Sequence, residues 1–372
     1  MKLLVVSNAP IINKDNSWFA YSPYVKEMEI WSKYANEFAF CCPEWRQENG
    51  LLISKIPFNI SKIFLLSDFN VTSLVSIFKS FFQIIYNVII IFRAMIWADH
   101  IHLRCPGNIG LLALIAQIFF PSKIKTAKYA GNWDPKAKNP WSYKLQKWIL
   151  SNTFLTRNMK VLIYGQWENQ SKNLKSFFTA SYFEFDKTDI KPRNFSNGIK
   201  IIFVGTLSSG KRPLYAIQLI EKLLENGFKV ELLFFGEGNQ RNVLEDYITD
   251  NKLSEKVFIK GNQDMETIKK AYQESHFVVL PSESEGWPKV IAEGMFWGCV
   301  PIATHISCVS NMLDNGNRGL ILNLNLQNDL QNIQILIQDN HRYNVMSEKA
   351  INWSRKYTLD YFEQEIKLLL QA

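Results

Sequence analysis

The chain has 372 residues, 47% hydrophobic, 14% aromatic and 20% charged, which excludes disordered and low-complexity classes and favours two domains. Its five cysteines (Cys41, Cys42, Cys105, Cys299 and Cys308) form an odd set without C-x-x-C spacing, so a disulfide framework or zinc knuckle is not indicated and a reducing compartment is favoured. The net charge of +8 is uneven: residues 1–190 carry 22 Lys and Arg against 13 Asp and Glu, hence +9, and the remainder is −1, which points to an anionic lipid, a phosphorylated acceptor or nucleic acid as partner of the first half.

In chain order, Met1-Lys2 and Leu3–Ser7 read as a buried first strand, the apolar run being too short for a signal-peptide core. Further short runs follow at Phe38–Cys42, His100–Arg104, Thr126–Tyr129 and Val161–Tyr164. Phe81–Ala98 is strongly apolar, but only 13 residues separate Lys79 from Arg93, short of the roughly 20 that a spanning helix needs. It reads as a well-buried helix, with an interfacial membrane helix as the alternative. The polar stretch Lys187–Lys200, containing Pro192 and Gly198, is the linker candidate. Beyond it come runs at Ile201–Val204, Val230–Phe235, Val257–Lys260, Phe277–Leu280, Pro301–Thr304 and Leu320–Leu322. Runs of this length alternating with helical stretches argue for parallel sheets covered on both faces. The expected fold is therefore α/β, with two doubly wound Rossmann-like domains facing a cleft. The expected boundaries are 1–190 plus a returning helix at 355–372, and 191–354.

In such sheets ligands sit beyond the carboxyl ends of strands. The first such loop of the second half is Gly205-Thr206-Leu207-Ser208-Ser209-Gly210-Lys211-Arg212-Pro213, where a glycine permits close backbone approach and a lysine can reach a phosphate. A second glycine turn, Gly236-Glu237-Gly238, follows Phe235; neither G-x-G-x-x-G nor a Walker motif occurs. The sharpest feature is Pro281–Gly294, in which Glu285 and Gly286 lie on a loop and a helix starts near Pro288. Proline suits a first helical turn, and the amides there form an anion site. Glu293, about one and a half turns into the helix, suits a vicinal diol; the plainer reading is a surface pair with Lys289.

These residues resemble the nucleotide-sugar domain of GT-B glycosyltransferases, family 4 in particular. Glu285–Met295 fits the family's E-x7-E motif, Phe203–Lys211 its phosphate loop, Phe277–Ser282 its strand into Pro-Ser, and Gly298–Thr304 its Gly-x-Pro-Val strand. The resemblance implies that Lys211 contacts the donor diphosphate, Glu293 the ribose and Glu285 the donor-sugar hydroxyls. The amides of Trp287, Pro288, Lys289 and Val290, next to Gly286, would cradle phosphate or sugar, and Gly261-Asn262 would meet the base. Gly205 and Gly236 would line the site. Thr206 replaces the usual arginine, and Arg212 is the candidate to compensate. Where the family often has a histidine in the first domain, the chain reads Tyr129-Ala130-Gly131-Asn132-Trp133-Asp134; Asn132 or Asp134 fills the polar role, or the segment is simply a turn. His102 and His305 are candidates to line the cleft, each more readily read as structural or surface.

The implied activity is retaining transfer of a sugar from a nucleoside-diphosphate sugar to a polyprenyl-diphosphate-linked or oligosaccharide acceptor of a surface polysaccharide pathway. No metal ligand set, Asp-x-Asp included, is legible, so no metal or cofactor is expected, and the nucleotide sugar enters as substrate. The alternatives are a nucleotide-sugar epimerase on the same fold and a catalytically silent sugar-nucleotide or membrane-binding module. Lys123–Lys147 holds seven lysines against one acid, with Trp133, Trp141 and Trp148 interleaved. It reads either as an anionic membrane surface contact or as a solvated helix face. The expected location is cytoplasmic, peripheral on the inner face of the plasma membrane, and nucleic acid is the least expected partner.

Overall fold

The computed structural model describes residues 1–48, 52–68 and 74–371, and the side chains of all of these except 74–79. The chain divides into two units, Met1–Phe177 together with the C-terminal residues from Glu363, and Phe178–Phe362.

The first unit contains strands β1 (Lys2–Val6), β2 (Ile11–Lys14) and β3 (Ser17–Tyr21), helix α1 (Ser22–Ser32), then β4 (Glu37–Trp45), β5 (Ile53–Lys55) and β6 (Lys62–Leu66). The long helix α2 (Leu74–Trp97) leads to β7 (His100–Cys105), α3 (Asn108–Ala116), β8 (Ile124–Tyr129), α4 (Trp141–Ser151), β9 (Met159–Tyr164) and β10 (Leu174–Phe177). The parallel part of the sheet runs β10-β9-β8-β7-β1-β4, with β6 on the far side of β4 and an edge of β2, β3 and β5. Helices α2, α3 and α4 cover one face. Their core partners on the sheet are Ile101, Leu103, Ala127 and Val161.

The second unit contains β11 (Ile199–Val204), α5 (Pro213–Glu225), β12 (Val230–Phe235), α6 (Arg241–Asp250), β13 (Val257–Ile259) and α7 (Met265–Glu274). It continues with β14 (Phe277–Leu280), α8 (Lys289–Phe296), β15 (Val300–Thr304), α9 (Val309–Leu313), β16 (Leu320–Leu322), α10 (Leu326–Gln338) and α11 (Asn340–Ser354). Helix α12 (Leu359–Gln371) ends the chain. Its sheet is wholly parallel, ordered β13-β12-β11-β14-β15-β16. The order reverses between β11 and β14, and that switch point is where a doubly wound sheet opens a crevice for ligands. Its strands are buried on both faces, as all-parallel sheets require, and Phe203 meets Phe234 with ring centroids 4.9 Å apart. Each such fully buried side chain contributes about 1.5–3 kcal/mol. Proline fits the first turn of α5, and Asp264 caps α7 by accepting from the Thr267 N–H at 2.8 Å.

The boundaries fall at 177/178 and 362/363, not at 190/191 and 354/355. The expected linker belongs to the second unit because side chains pin it there. Asp186 pairs with Lys269 at 2.9 Å, and Arg355 donates to the Thr188 carbonyl at 2.7 Å. The Arg193 guanidinium donates to the carbonyls of Ser275 (2.5 Å), Gln273 (2.8 Å) and Trp297 (2.5 Å). At the other end, Glu363 accepts from Lys33 at 2.8 Å and from Tyr34 at 3.1 Å, within the first unit.

Candidate functional site

Loops after β11, β12 and β14 meet at the switch point of the second unit. The Gly205 N–H donates to the Phe235 carbonyl at 2.9 Å, Leu207 to Glu237 at 3.0 Å, and Gly236 to Gly261 at 2.9 Å. A Cβ on Gly236, whose φ is 147°, would lie 2.0 Å from the Gly205 carbonyl oxygen, so the two loops meet only because this residue is glycine. Gly261 lies at the end of β13 and Asn262 is exposed beside it.

The Glu283 N–H donates to the Gly210 carbonyl at 2.8 Å and locks the β11 loop to the β14 loop. Across that seam the Lys211 ammonium pairs with the Glu285 carboxylate, both side chains largely shielded from solvent. Arg212 pairs with Glu283 at 3.0 Å and donates to the Pro281 carbonyl at 3.4 Å. Arg212 thus braces the β14 loop. Thr206 stands exposed at the strand end.

The β14 loop is held from beneath. Thr304 Oγ1 donates to the Ser282 carbonyl at 2.6 Å, and the Gly286 carbonyl accepts from Ser307 Oγ at 3.0 Å and Cys308 Sγ at 3.3 Å. Burial pushes the Cys308 thiol up to about 12, so it stays a protonated donor. Helix α8 begins at Lys289 with Pro288 as its cap residue. Pro288 has no N–H, so the expected amide cradle reduces to Trp287, Lys289 and Val290. The Trp287 ring packs against the Trp353–Tyr357 pair, with centroids at 6.0 and 5.6 Å.

On α8, Glu293 is half-buried. Its Oε1 accepts from Ser181 Oγ at 2.5 Å and its Oε2 from the Tyr272 hydroxyl at 3.3 Å. Burial, and then the Glu293 charge, hold the Tyr272 and Tyr182 hydroxyls protonated well above their ordinary range. A small cavity lined by Thr179, Ser181, Lys289, Glu293, Ser354 and Tyr357 opens beside it. Sequence reading missed Ser181, Tyr272 and Arg193. Their partners are up to 112 residues away, and no local pattern marks them.

The first-unit candidates sit in the loop after β8. Asn132 Oδ1 accepts from the Asp134 N–H at 2.9 Å, and Asp134 Oδ1 from the Lys136 N–H at 2.8 Å, so both side chains shape the turn itself. His102 is a core residue: it shares the Thr126 hydroxyl with His100, each at 2.9 Å, and lies against Trp31. His305 is exposed and bonds Ser310 at 2.9 Å.

Two expectations for this unit are corrected. In the stretch Lys123–Lys147, Lys125 is buried and donates to the Phe120 carbonyl at 2.8 Å, while Lys128 is buried against Glu27 at 2.8 Å. Lys123 binds the Ala98 carbonyl, Lys147 the Asp134 carbonyl, and Trp133 is buried. Only Lys136, Lys138 and Lys144, with Trp141 and Trp148, face outward, because β8 takes up the start of the segment and carries its lysines inward. Helix α2, expected to be well buried, is only 28% buried over Ser80–Trp97; it touches the sheet along one side.

Among the described residues no group of three or more His, Cys, Asp or Glu could hold a metal. The five cysteines are unpaired and buried.

Residues 184–353 match the family described as Glycosyl transferases group 1. Over 174 residues the chain is 29% identical to an Escherichia coli UDP-Gal:alpha-D-GlcNAc-diphosphoundecaprenol alpha-1,3-galactosyltransferase, covering 45% of this chain and 44% of that protein. It is 26% identical over 169 residues to a Bacillus subtilis poly(glycerol-phosphate) alpha-glucosyltransferase, covering 44% and 24%. The matched region spans less than half the length of these relatives. In fold, the chain superposes on Anabaena HepE in complex with UDP with a TM-score of 0.71 at 15% identity, covering 100% of both. A glycosyltransferase from Rickettsia africae gives 0.68 at 16% identity, covering 100% and 98%. Residues 184–353 thus carry the sequence pattern of Glycosyl transferases group 1, and the chain as a whole has the fold seen in HepE and in the Rickettsia africae protein.

Proposed function

We propose that the chain transfers a sugar from a nucleoside-diphosphate sugar to a lipid-linked or polysaccharide acceptor, with retention at the anomeric carbon and without a metal ion. The observation that carries this reading is the Lys211–Glu285 pair at the switch point, beside the N-terminus of α8. A diphosphate entering there would take the Lys211 charge from Glu285, freeing that carboxylate to accept sugar hydroxyls. The dipole of α8 and the amides of Lys289 and Val290 would meet phosphate oxygens. Glu293, oriented by Ser181 and Tyr272, would accept the ribose hydroxyls.

In the transfer, the bond between the anomeric carbon and the diphosphate oxygen breaks, and its electron pair leaves with the diphosphate. An acceptor hydroxyl oxygen bonds that carbon on the same face, and its proton passes to the departing phosphate. Lys211 and the helix dipole would stabilise the charge on the leaving group. Asn132 and Asp134, on a loop at the carboxyl end of the first sheet, would lie on the acceptor side. The named relatives support a lipid-linked or polyol-phosphate acceptor, and the UDP-bound neighbour makes uridine the first base to test. A lipid-linked acceptor would put the work at a membrane surface, in keeping with a cytoplasmic, peripheral location.

Thermal-shift measurement against nucleoside diphosphates and then their sugars tests the donor half. Stabilisation by one base, lost in Glu293→Ala, is expected; no response to any nucleotide, or an unaltered response in that variant, overturns the assignment.

A further inference from the structure

Helix α2 lies on the first unit with one apolar side exposed over Ser80–Trp97. Its inner side is fixed: Ile91, Ala94 and Met95 belong to the core, and the buried Asn87 exchanges two 2.8 Å bonds with the Ser67 backbone. A helix tied down this way is long and apolar enough to span a bilayer, but leaving the sheet would unpair Asn87 and open the core. Its outer side carries Phe81, Phe82, Ile85, Tyr86, Ile89 and Ile96, with Phe82 62%, Ile89 53% and Ile96 65% exposed. Arg93 is the one charge among them. These positions recur at three- and four-residue steps and form one stripe.

The neighbouring helices extend the same layer. Phe119, 68% exposed just after α3, lies against Phe92 of α2, with ring centroids 5.5 Å apart and the planes tilted. Helix α4 shows Trp141 (73% exposed), Lys144 and Trp148 (60% exposed) at i, i+3 and i+7. The exposed charge here is mainly positive: Arg93, Lys136, Lys138 and Lys144 face outward, against Asp99 just past the end of α2. The side chain of Lys79 lies outside the described residues. An apolar stripe with an aromatic and cationic rim is what an interfacial helix shows to anionic headgroups. A second copy is the poorer occupant, since a two-fold contact would set this positive layer against itself.

We propose that the α2–α3–α4 layer docks on a bilayer bearing anionic lipid, with α2 lying in the membrane plane. Phe81, Phe82, Ile85, Ile89 and Ile96 enter the acyl boundary, and Trp141, Trp148, Lys144 and Arg93 sit at headgroup level. The inference deepens the membrane side of the proposed function but rests on this surface alone.

Flotation of the full chain with phosphatidylcholine vesicles, with and without phosphatidylglycerol, tests it. Binding to the anionic vesicles is expected to exceed binding to neutral ones at least tenfold and to fall as salt rises. Ile85→Glu with Ile89→Glu is expected to cut binding at least tenfold with the melting temperature and nucleoside-diphosphate affinity unchanged. Replacing Lys136, Lys138 and Lys144 by Ser should reduce the preference for anionic vesicles without abolishing flotation. Failure of the wild type to float overturns the proposal, as does unchanged binding of the Ile85/Ile89 variant. A dimer that this variant converts to monomer, with flotation intact, overturns it in favour of a second copy. Flotation by a chain that binds no nucleotide would defeat the transferase reading and leave this one standing.

Discussion

The Lys211 ammonium, on the loop after β11, pairs with the Glu285 carboxylate on the loop after β14, across the point where the strand order of the second sheet reverses. The pair joins the two loops that the proposed donor would touch, and it sets a cation beside a hydrogen-bond acceptor across the seam. Loss of Lys211 should therefore fall on transition-state charge more than on folding. Lys211→Ala is expected to lower kcat/KM about 10²–10³-fold, measured as nucleoside-diphosphate release, and to move the melting temperature little. An equal loss of stability and activity would show a structural role instead.

Glu293 is oriented by two hydroxyls that are not themselves part of the proposed ligand contacts. Tyr272→Phe and Ser181→Ala should each weaken nucleotide binding several-fold, about 1 kcal/mol, while Glu293→Gln should weaken it more. Calorimetric titration with a nucleoside diphosphate separates these effects. Tyr272→Phe binding as tightly as wild type would remove Tyr272 from a positioning role.

Gly236 and Gly210 make a matched pair for testing loop closure. A Cβ at Gly236 meets the Gly205 carbonyl oxygen at 2.0 Å, whereas one at Gly210 meets nothing within 4 Å. Gly236→Ala is expected to cost at least about 2 kcal/mol in urea unfolding and Gly210→Ala less than about 1 kcal/mol. Comparable losses for the two would show that the loops do not pack as described.

Acid should destabilise the first unit through its buried histidines. Burial pushes His100 down to about 4 and His102 well below its ordinary value, so both are neutral in the folded protein. Below pH about 6.5 the unfolded chain takes up protons that the folded chain refuses, so stability is full above that value and declines as pH falls toward 4. Between pH 6.5 and 5 the loss from His100 alone is about 2 kcal/mol. Urea midpoints across this range measure it, and a His100→Asn, His102→Gln variant should show a shallower slope. An identical slope would exonerate the pair.

Arg193 ties α7, the turn into β14 and the end of α8 through four carbonyls. Arg193→Ala leaves those acceptors short of a charged donor and is expected to cost about 2–4 kcal/mol. The loss should appear in unfolding rather than in the apparent affinity for acceptor.

The order of motifs from Gly205 to Thr304 was legible because a strand, a glycine turn and a helix start are local patterns. Each of the eleven apolar runs overlaps a strand, whereas β2, β3, β5, β6 and β10 escaped the sequence reading. The Glu285–Lys211 association was anticipated only as two residues facing one ligand, and the ion pair itself emerged in the structure. Ser181 was invisible because its partner Glu293 lies 112 residues away.

The charge imbalance of the first half was fixed by composition, and so was the apolar character of 81–98. Which of those groups meet solvent was decided by tertiary structure alone. Strand β8 carries Lys125 and Lys128 into the interior, where backbone carbonyls and Glu27 receive them, and α2 keeps one apolar side outside. A sequence counts charges and measures local period. Burial is set by neighbours distant in the chain, and it is burial that turns a lysine into a core ion pair or an isoleucine into surface.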